Sequence, residues 1–255
     1  MSELKLAISN IAWDKADDEA VYAAMQQNGF TGLEIAPTRI FPEYPYENLT
    51  GAALFGGYLL NRWGFHVPSM QSIWYGQTGN IFDPVQAEEL LDYTAEAFQF
   101  AHTINCPKTR RLAPPHPAAE GDAFFAKAGA LASHYDVVLA IEANPPVYTN
   151  YLNNTADAFA MVKRLQSPGL AVNLDLSTMI SNGERLRDFV DDIKYVSHVH
   201  ISEPGLEPIV PRQEHKELAM LLKAVGYSGD VSIEMKRTDV ETVRKTLAYI
   251  AEVFA

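Results

Sequence analysis

The chain has 255 residues, 47% of them hydrophobic, and a net charge of -12. That is enough for one large core, and the length suits one α/β barrel or two small domains. The acidic balance, with no basic cluster longer than Arg110-Arg111, argues against a nucleic-acid partner, which needs a positive surface. A lone cysteine, Cys106, precludes an internal disulfide and fits a reducing compartment. The start MSELKLAISN lacks the basic and long apolar regions of a secretory signal, and no apolar run is long enough to span a bilayer. A cytoplasmic protein without a membrane partner is the expectation.

In chain order, strands are expected near Leu4–Asn10, Gly32–Pro37, His66–Ile73, Val137–Asn144, Leu170–Leu176, Val196–Ser202 and Val231–Met235, with helices filling the gaps. The clearest helix runs over Pro84–Asn105, where Ala87, Leu90, Leu91, Thr94, Ala97, Phe98 and Ala101 recur at helical spacing behind an Asp83 cap. The last carries the stripe Val240, Val243, Leu247, Ile250 and Phe254 after Asp239. One helix per strand over residues 1–255, with no linker, implies a single (β/α)₈ TIM-barrel domain. The fourth strand must then fall in the proline-rich stretch CPKTRRLAPPHPAAEGD before a helix at Ala123–His134, so it is expected to be short, irregular or absent. A doubly wound open sheet is the alternative, but no glycine-rich phosphate fingerprint follows the first strand.

Four late strands end alike. In VVLAIEANPPVY, LAVNLDLST, VSHVHISEP and DVSIEMK, strand alternation puts Glu142, Asp175, His200 and Glu234 on one face and aliphatic residues on the other. Each stands near the C-terminal end of its strand, about one βα unit from the next, so a closed parallel barrel gathers them around its mouth. Taken singly, a strand-end acid is more often a helix cap or an ion-pair partner. Three converging acids, however, repel one another unless a cation neutralises them. One imidazole with three carboxylates is an oxygen-rich set that suits one divalent ion, Mn²⁺ or Mg²⁺ above Co²⁺ or Zn²⁺.

On the segments IEANP, LDLST, HVHISEP and GYSGDVSIEMK, with GFTGLEI near the start, the chain resembles the sugar phosphate isomerase/epimerase superfamily. These are xylose isomerase-like TIM barrels that include ketose 3-epimerases, and the likeness covers nearly the whole chain. The resemblance implies that Glu142, Asp175, His200 and Glu234 are the metal ligands. Three features differ from that pattern: Thr178 stands where the epimerases usually carry a histidine, Arg212 falls later than their arginine, and the fourth strand is weak with only Lys108, Arg110 and Arg111 remaining near it.

The implied activity is isomerisation or epimerisation of a sugar or sugar phosphate. The metal would chelate a carbonyl and a neighbouring hydroxyl and stabilise an enediolate, with Glu142 and Glu234 as the catalytic proton-transfer pair. Glu34 has the inward phase on the second strand and would either bond a sugar hydroxyl or pair with a neighbouring charge. His66, Gln71, Trp74, Tyr75 and Tyr148 are expected to line the pocket, and Lys236 to meet a phosphate or carboxylate. His198 is expected one layer beneath His200. The competing expectations are a non-catalytic sugar-binding relative and a polyol or inosose dehydratase on the same scaffold. A metal-dependent abasic-site endonuclease fits less well, since it needs more ligands and a basic face. A homodimer is compatible with such a barrel.

Overall fold

The alternating apolar and amphipathic runs become strands and helices in the computed structural model, which describes residues 4–111, 121–147 and 151–255. The strands are β1 (Lys5–Ser9), β2 (Gly32–Glu34), β3 (Lys108–Arg111), β4 (Val138–Glu142), β5 (Leu170–Asp175), β6 (Val196–Ser202) and β7 (Asp230–Glu234). The helices are α1 (Asp18–Gln27), α2 (Pro37–Ile40), α3 (Leu49–Tyr58), α4 (Pro84–Thr103), α5 (Asp122–His134), α6 (Thr155–Leu165), α7 (Leu176–Asn182), α8 (Gln213–Ala224) and α9 (Val240–Phe254). Turns of 3₁₀ helix over Leu186–Tyr195 replace a full helix before β6.

Every ladder among the described residues is parallel, in the order β2-β1-β7-β6-β5-β4-β3. The ring is closed between its two edge strands by residues 66–70: His66 bridges Gly32, and Met70 bridges both Ile35 and Thr109. The expected third strand, His66–Ile73, is thus reduced to isolated bridges. Pro68 has no N–H to give a ladder, and Ser72 turns out of the extended region at φ 54°. The proline-rich stretch yields the four-residue strand β3, paired from Lys108 to Val138 through Arg111 to Ile141.

The outward face of the sheet is the core. Ile8, Leu33, Leu139, Ile141, Val172, Leu174, Val199, Ile201, Val231 and Ile233 are buried against the helices. Each such side chain contributes roughly 1.5–3 kcal/mol by leaving water. Helix α4 starts where Asp83 accepts from the amides of Val85 and Gln86, both at 3.0 Å, with Pro84 in its first turn. Asp239 caps α9 through the Thr242 amide at 2.9 Å, and α9 packs on α1 to complete the helical layer. At Gly32 the segments crowd, since a Cβ there would stand 2.7 Å from that of Ala7.

One irregularity positions the site. Between Val172 and Asn173 the β5–β6 register shifts, so Asn173 lies beside His198 and Asp175 beside His200. The inward residues of the two strands thereby meet at equal height. Among the described residues no helix is long and apolar enough to cross a membrane.

Candidate metal centre

Inward positions at or near the C-terminal ends of four strands converge at the barrel mouth. Glu142, Asp175, His200 and Glu234 are all buried, and each offers one ligand atom within 4.8 Å of the others. His200 Nδ1 lies 3.0 Å from Glu234 Oε2, 3.5 Å from Glu142 Oε1 and 3.9 Å from Asp175 Oδ2. The in-phase reading of these four strand ends is what the geometry brings together.

Neighbouring side chains hold the carboxylates. Asn173 Nδ2 donates to Glu142 Oε1 at 2.8 Å and Asn144 Nδ2 to Oε2 at 3.3 Å. Asp175 is the N-cap of α7: its Oδ1 accepts from the Thr178 amide at 2.7 Å and from Ser177 Oγ at 2.6 Å. Its Oδ2 accepts from Ser202 Oγ at 2.7 Å. Burial, then the charges of Glu142 and Glu234, push the Asp175 carboxyl above its ordinary value. Three carboxylates and one imidazole make an oxygen-rich donor set, so these residues fit a divalent cation.

A second group lies beneath. Glu34, ending β2, is fully buried; its Oε2 is 2.7 Å from His198 Nε2 and 2.9 Å from His200 Nε2, and accepts from Ser69 Oγ. Burial alone would raise the Glu34 carboxyl, but His200 and His198 outweigh it and hold it well below the usual range. Burial lowers His198.

Above the centre opens a cavity of about 920 Å³ whose floor includes Glu142, Asp175 and Glu234. Its walls come from the segments after β1 and β2, including Ile11, Arg39, Tyr44 and Pro45, and from Gln71, Tyr75 and Leu206. Arg39 is tied to Asp18 at 2.6 Å.

Of the other sequence candidates, Gln71 reaches the cavity wall and donates to Ser9 Oγ. Glu34 is not on the wall; it pairs with imidazoles below. His66 is at the opposite end of the barrel, 2.6 Å from Asp230 Oδ1 at the start of β7. Trp74 donates from Nε1 to Thr94 Oγ1 at 2.8 Å and packs edge-on against Phe124. Lys236 is exposed and paired with Glu207. Tyr148 lies outside the described residues. Thr178, in the place of the expected histidine, is buried and donates from Oγ1 to the Ala143 carbonyl at 2.9 Å. Arg212 forks onto the buried carboxylate of Glu203, with Nη2–Oε2 at 2.6 Å. Sequence reasoning missed the supporting donors Asn144, Asn173, Ser177 and Ser202. Asn173 and Ser202 share the inward phase of Asp175 and His200, a signal that could have found them.

A parallel barrel with acids and an imidazole at the C-terminal ends of its strands defines a class whose active sites sit at that face. The chain belongs to the xylose isomerase-like TIM barrel family, whose model matches residues 22–253. No curated protein matches it. Among solved structures it is similar to a 3-keto-D-glucoside 4-epimerase from E. coli (17% identity, TM-score 0.76, 98% of this chain and 100% of that one). An L-ribulose 3-epimerase matches at 17% identity and TM-score 0.77, over 98% of this chain and 94% of that one. An AP endonuclease, family 2, from Brucella melitensis matches at 19% identity and TM-score 0.76, over 98% and 99%. These likenesses show a shared fold.

Proposed function

We propose that the protein is a metal-dependent isomerase or epimerase of a sugar or sugar phosphate, moving a proton at a carbon beside a carbonyl. The observation that carries this is three buried carboxylates and one imidazole within 4.8 Å, the carboxylates lining the floor of a cavity of about 920 Å³. The family and the epimerases among its structural neighbours support it. The net charge of -12 favours a sugar over a nucleic-acid backbone.

Glu142, Asp175, His200 and Glu234 would hold the ion. When bound, it supplies positive charge that orients a carbonyl with its neighbouring hydroxyl and stabilises negative charge developing on oxygen. The proton chemistry belongs to the chain. Glu142 on β4 and Glu234 on β7 both face the cavity, with β5 and β6 between them in the sheet. One removes a proton from one face of the substrate carbon and the other returns it to the opposite face, which is epimerisation. A single carboxylate carrying the proton between neighbouring carbons gives aldose–ketose isomerisation instead. The Asn173 and Asn144 amides keep the Glu142 carboxylate in place for this work.

The test is proton exchange followed by NMR, with Mn²⁺-loaded protein, ketoses and their phosphates in D₂O, and Glu142→Gln as control. Deuterium entering beside the carbonyl, and absent with the variant, is the expected result. One observation favours a second reading, a sugar-binding relative without turnover: Thr178 is turned to the Ala143 carbonyl. Metal and sugar binding with no deuterium uptake from any sugar would select it.

A further inference from the structure

We infer that Glu34 is a positioning residue for the centre: its Oε2 fixes His200 with the proton on Nε2 and so turns Nδ1 toward the three carboxylates. This rests on the metal reading of those four residues. Glu34 is fully buried and lies off the cavity wall, so it does not touch a substrate there. Its Oε2 is the meeting point of His200 Nε2 at 2.9 Å, His198 Nε2 at 2.7 Å and the Ser69 hydroxyl. An ionised carboxylate can only accept, so both rings must present N–H to it. In a neutral imidazole the other nitrogen is then the acceptor. For His200 that nitrogen is Nδ1, which hydrogen-bonds Glu234 Oε2 at 3.0 Å and lies 3.5 Å from Glu142; a bound cation would take the place of the proton in that bond and leave Nδ1 as a ligand.

The two histidines divide the work. His198 Nδ1 is buried with no hydrogen-bond partner among the described residues, while its Nε2 lies between Glu34 Oε2 and Ser69 Oγ at 3.1 Å. The ring stands edge-on to His200, with centroids 5.1 Å apart and planes at 77°, and helps keep the His200 ring from rotating. A carboxylate bonded to the far nitrogen of a metal-ligating histidine sets its tautomer and raises its basicity, and losing it typically weakens metal binding about 10–100-fold.

Glu34→Gln isolates the effect. It keeps the length and one acceptor oxygen but removes the charge, and puts an NH₂ where Glu34 Oε1 is buried without a partner among the described residues. Zn²⁺ is the probe, titrated by calorimetry, with long-range ¹H–¹⁵N spectra of histidine-labelled protein and thermal melts in chelator to check folding. The expected results are a wild-type Zn²⁺ complex with His200 protonated on Nε2, and Zn²⁺ binding about 10–100-fold weaker in Glu34→Gln. Unchanged Zn²⁺ affinity in the variant, or a His200 proton on Nδ1 in the wild-type complex, overturns the assignment and leaves the metal centre standing. The wild-type spectrum decides even if the variant does not fold. If the folded wild type binds no Zn²⁺, or binds it as well after Asp175→Asn, the metal reading falls first and this assignment with it.

Discussion

The two ends of the barrel each hold a cluster of ionisable side chains, and they are built on opposite principles. At the N-terminal end, one carboxylate meets an imidazole and an ammonium: Asp230 lies 2.6 Å from His66 Nε2 and 3.7 Å from Lys108 Nζ. Burial alone would raise the Asp230 carboxyl, but His66 and Lys108 hold it below its ordinary value. At the mouth, three carboxylates crowd one imidazole, and Asp175 is pushed up. The first cluster pairs its carboxylate with nitrogen donors of the chain. The second gathers an oxygen-rich donor set of the kind that suits a divalent cation. The make-up of the donor set, more than burial or the mere presence of acids, separates an internal ion-pair network from a candidate metal centre.

That contrast can be broken most directly at Asp175. Asp175→Asn should weaken divalent-metal binding more than about 100-fold, as removal of a ligand exceeds loss of its support. It should also change how metal-free stability depends on pH. Because the folded carboxyl sits above its ordinary 3.8, its contribution is fully present below 3.8 and lost as pH rises through the raised value. Melts in chelator should therefore show the wild type losing ground to Asp175→Asn across that window, and Mn²⁺ should restore it. Asp230→Asn should behave oppositely: metal affinity unchanged, stability lower by about 1–3 kcal/mol in urea titrations, because Lys108 is left half-buried without its carboxylate. Thr178→Ala should cost about 1 kcal/mol in the same titration, one lost hydrogen bond. The smallest effect is expected at the exposed rim: Tyr75→Ala should leave stability within about 0.5 kcal/mol. If its ring covers a sugar face, sugar affinity by calorimetry should fall about two- to tenfold.

Strand phase made the mouth legible from the sequence. Glu142, Asp175, His200 and Glu234 each close a short aliphatic run, and in a parallel barrel the ends of strands share one face. The same rule, applied to His66, would have placed it correctly. It opens its segment where the others close theirs, so it belongs to the opposite face, where it meets Asp230. The third segment itself misled because its apolar residues suit a strand while Pro68 prevents a ladder. Glu34 was ambiguous for a different reason. Its inward phase is plain, but whether a lumen carboxylate meets substrate or imidazole depends on its height, which strand tilt and the β5–β6 register shift decide and a linear pattern does not encode. The donors that fix the acids were hidden in the same way, since Asn173 reaches Glu142 from the neighbouring strand.

Asp175 serves two structures with one side chain: Oδ1 begins helix α7, while Oδ2 faces His200 across the centre. Backbone order in the first turn of α7 is therefore tied to what the carboxylate faces on its other side. A cation that draws the carboxylate inward would slacken its bond to the Thr178 amide, and one that pins it in place would tighten that bond. Either way, exchange of that single amide with solvent becomes an internal gauge of occupancy, readable without substrate or turnover.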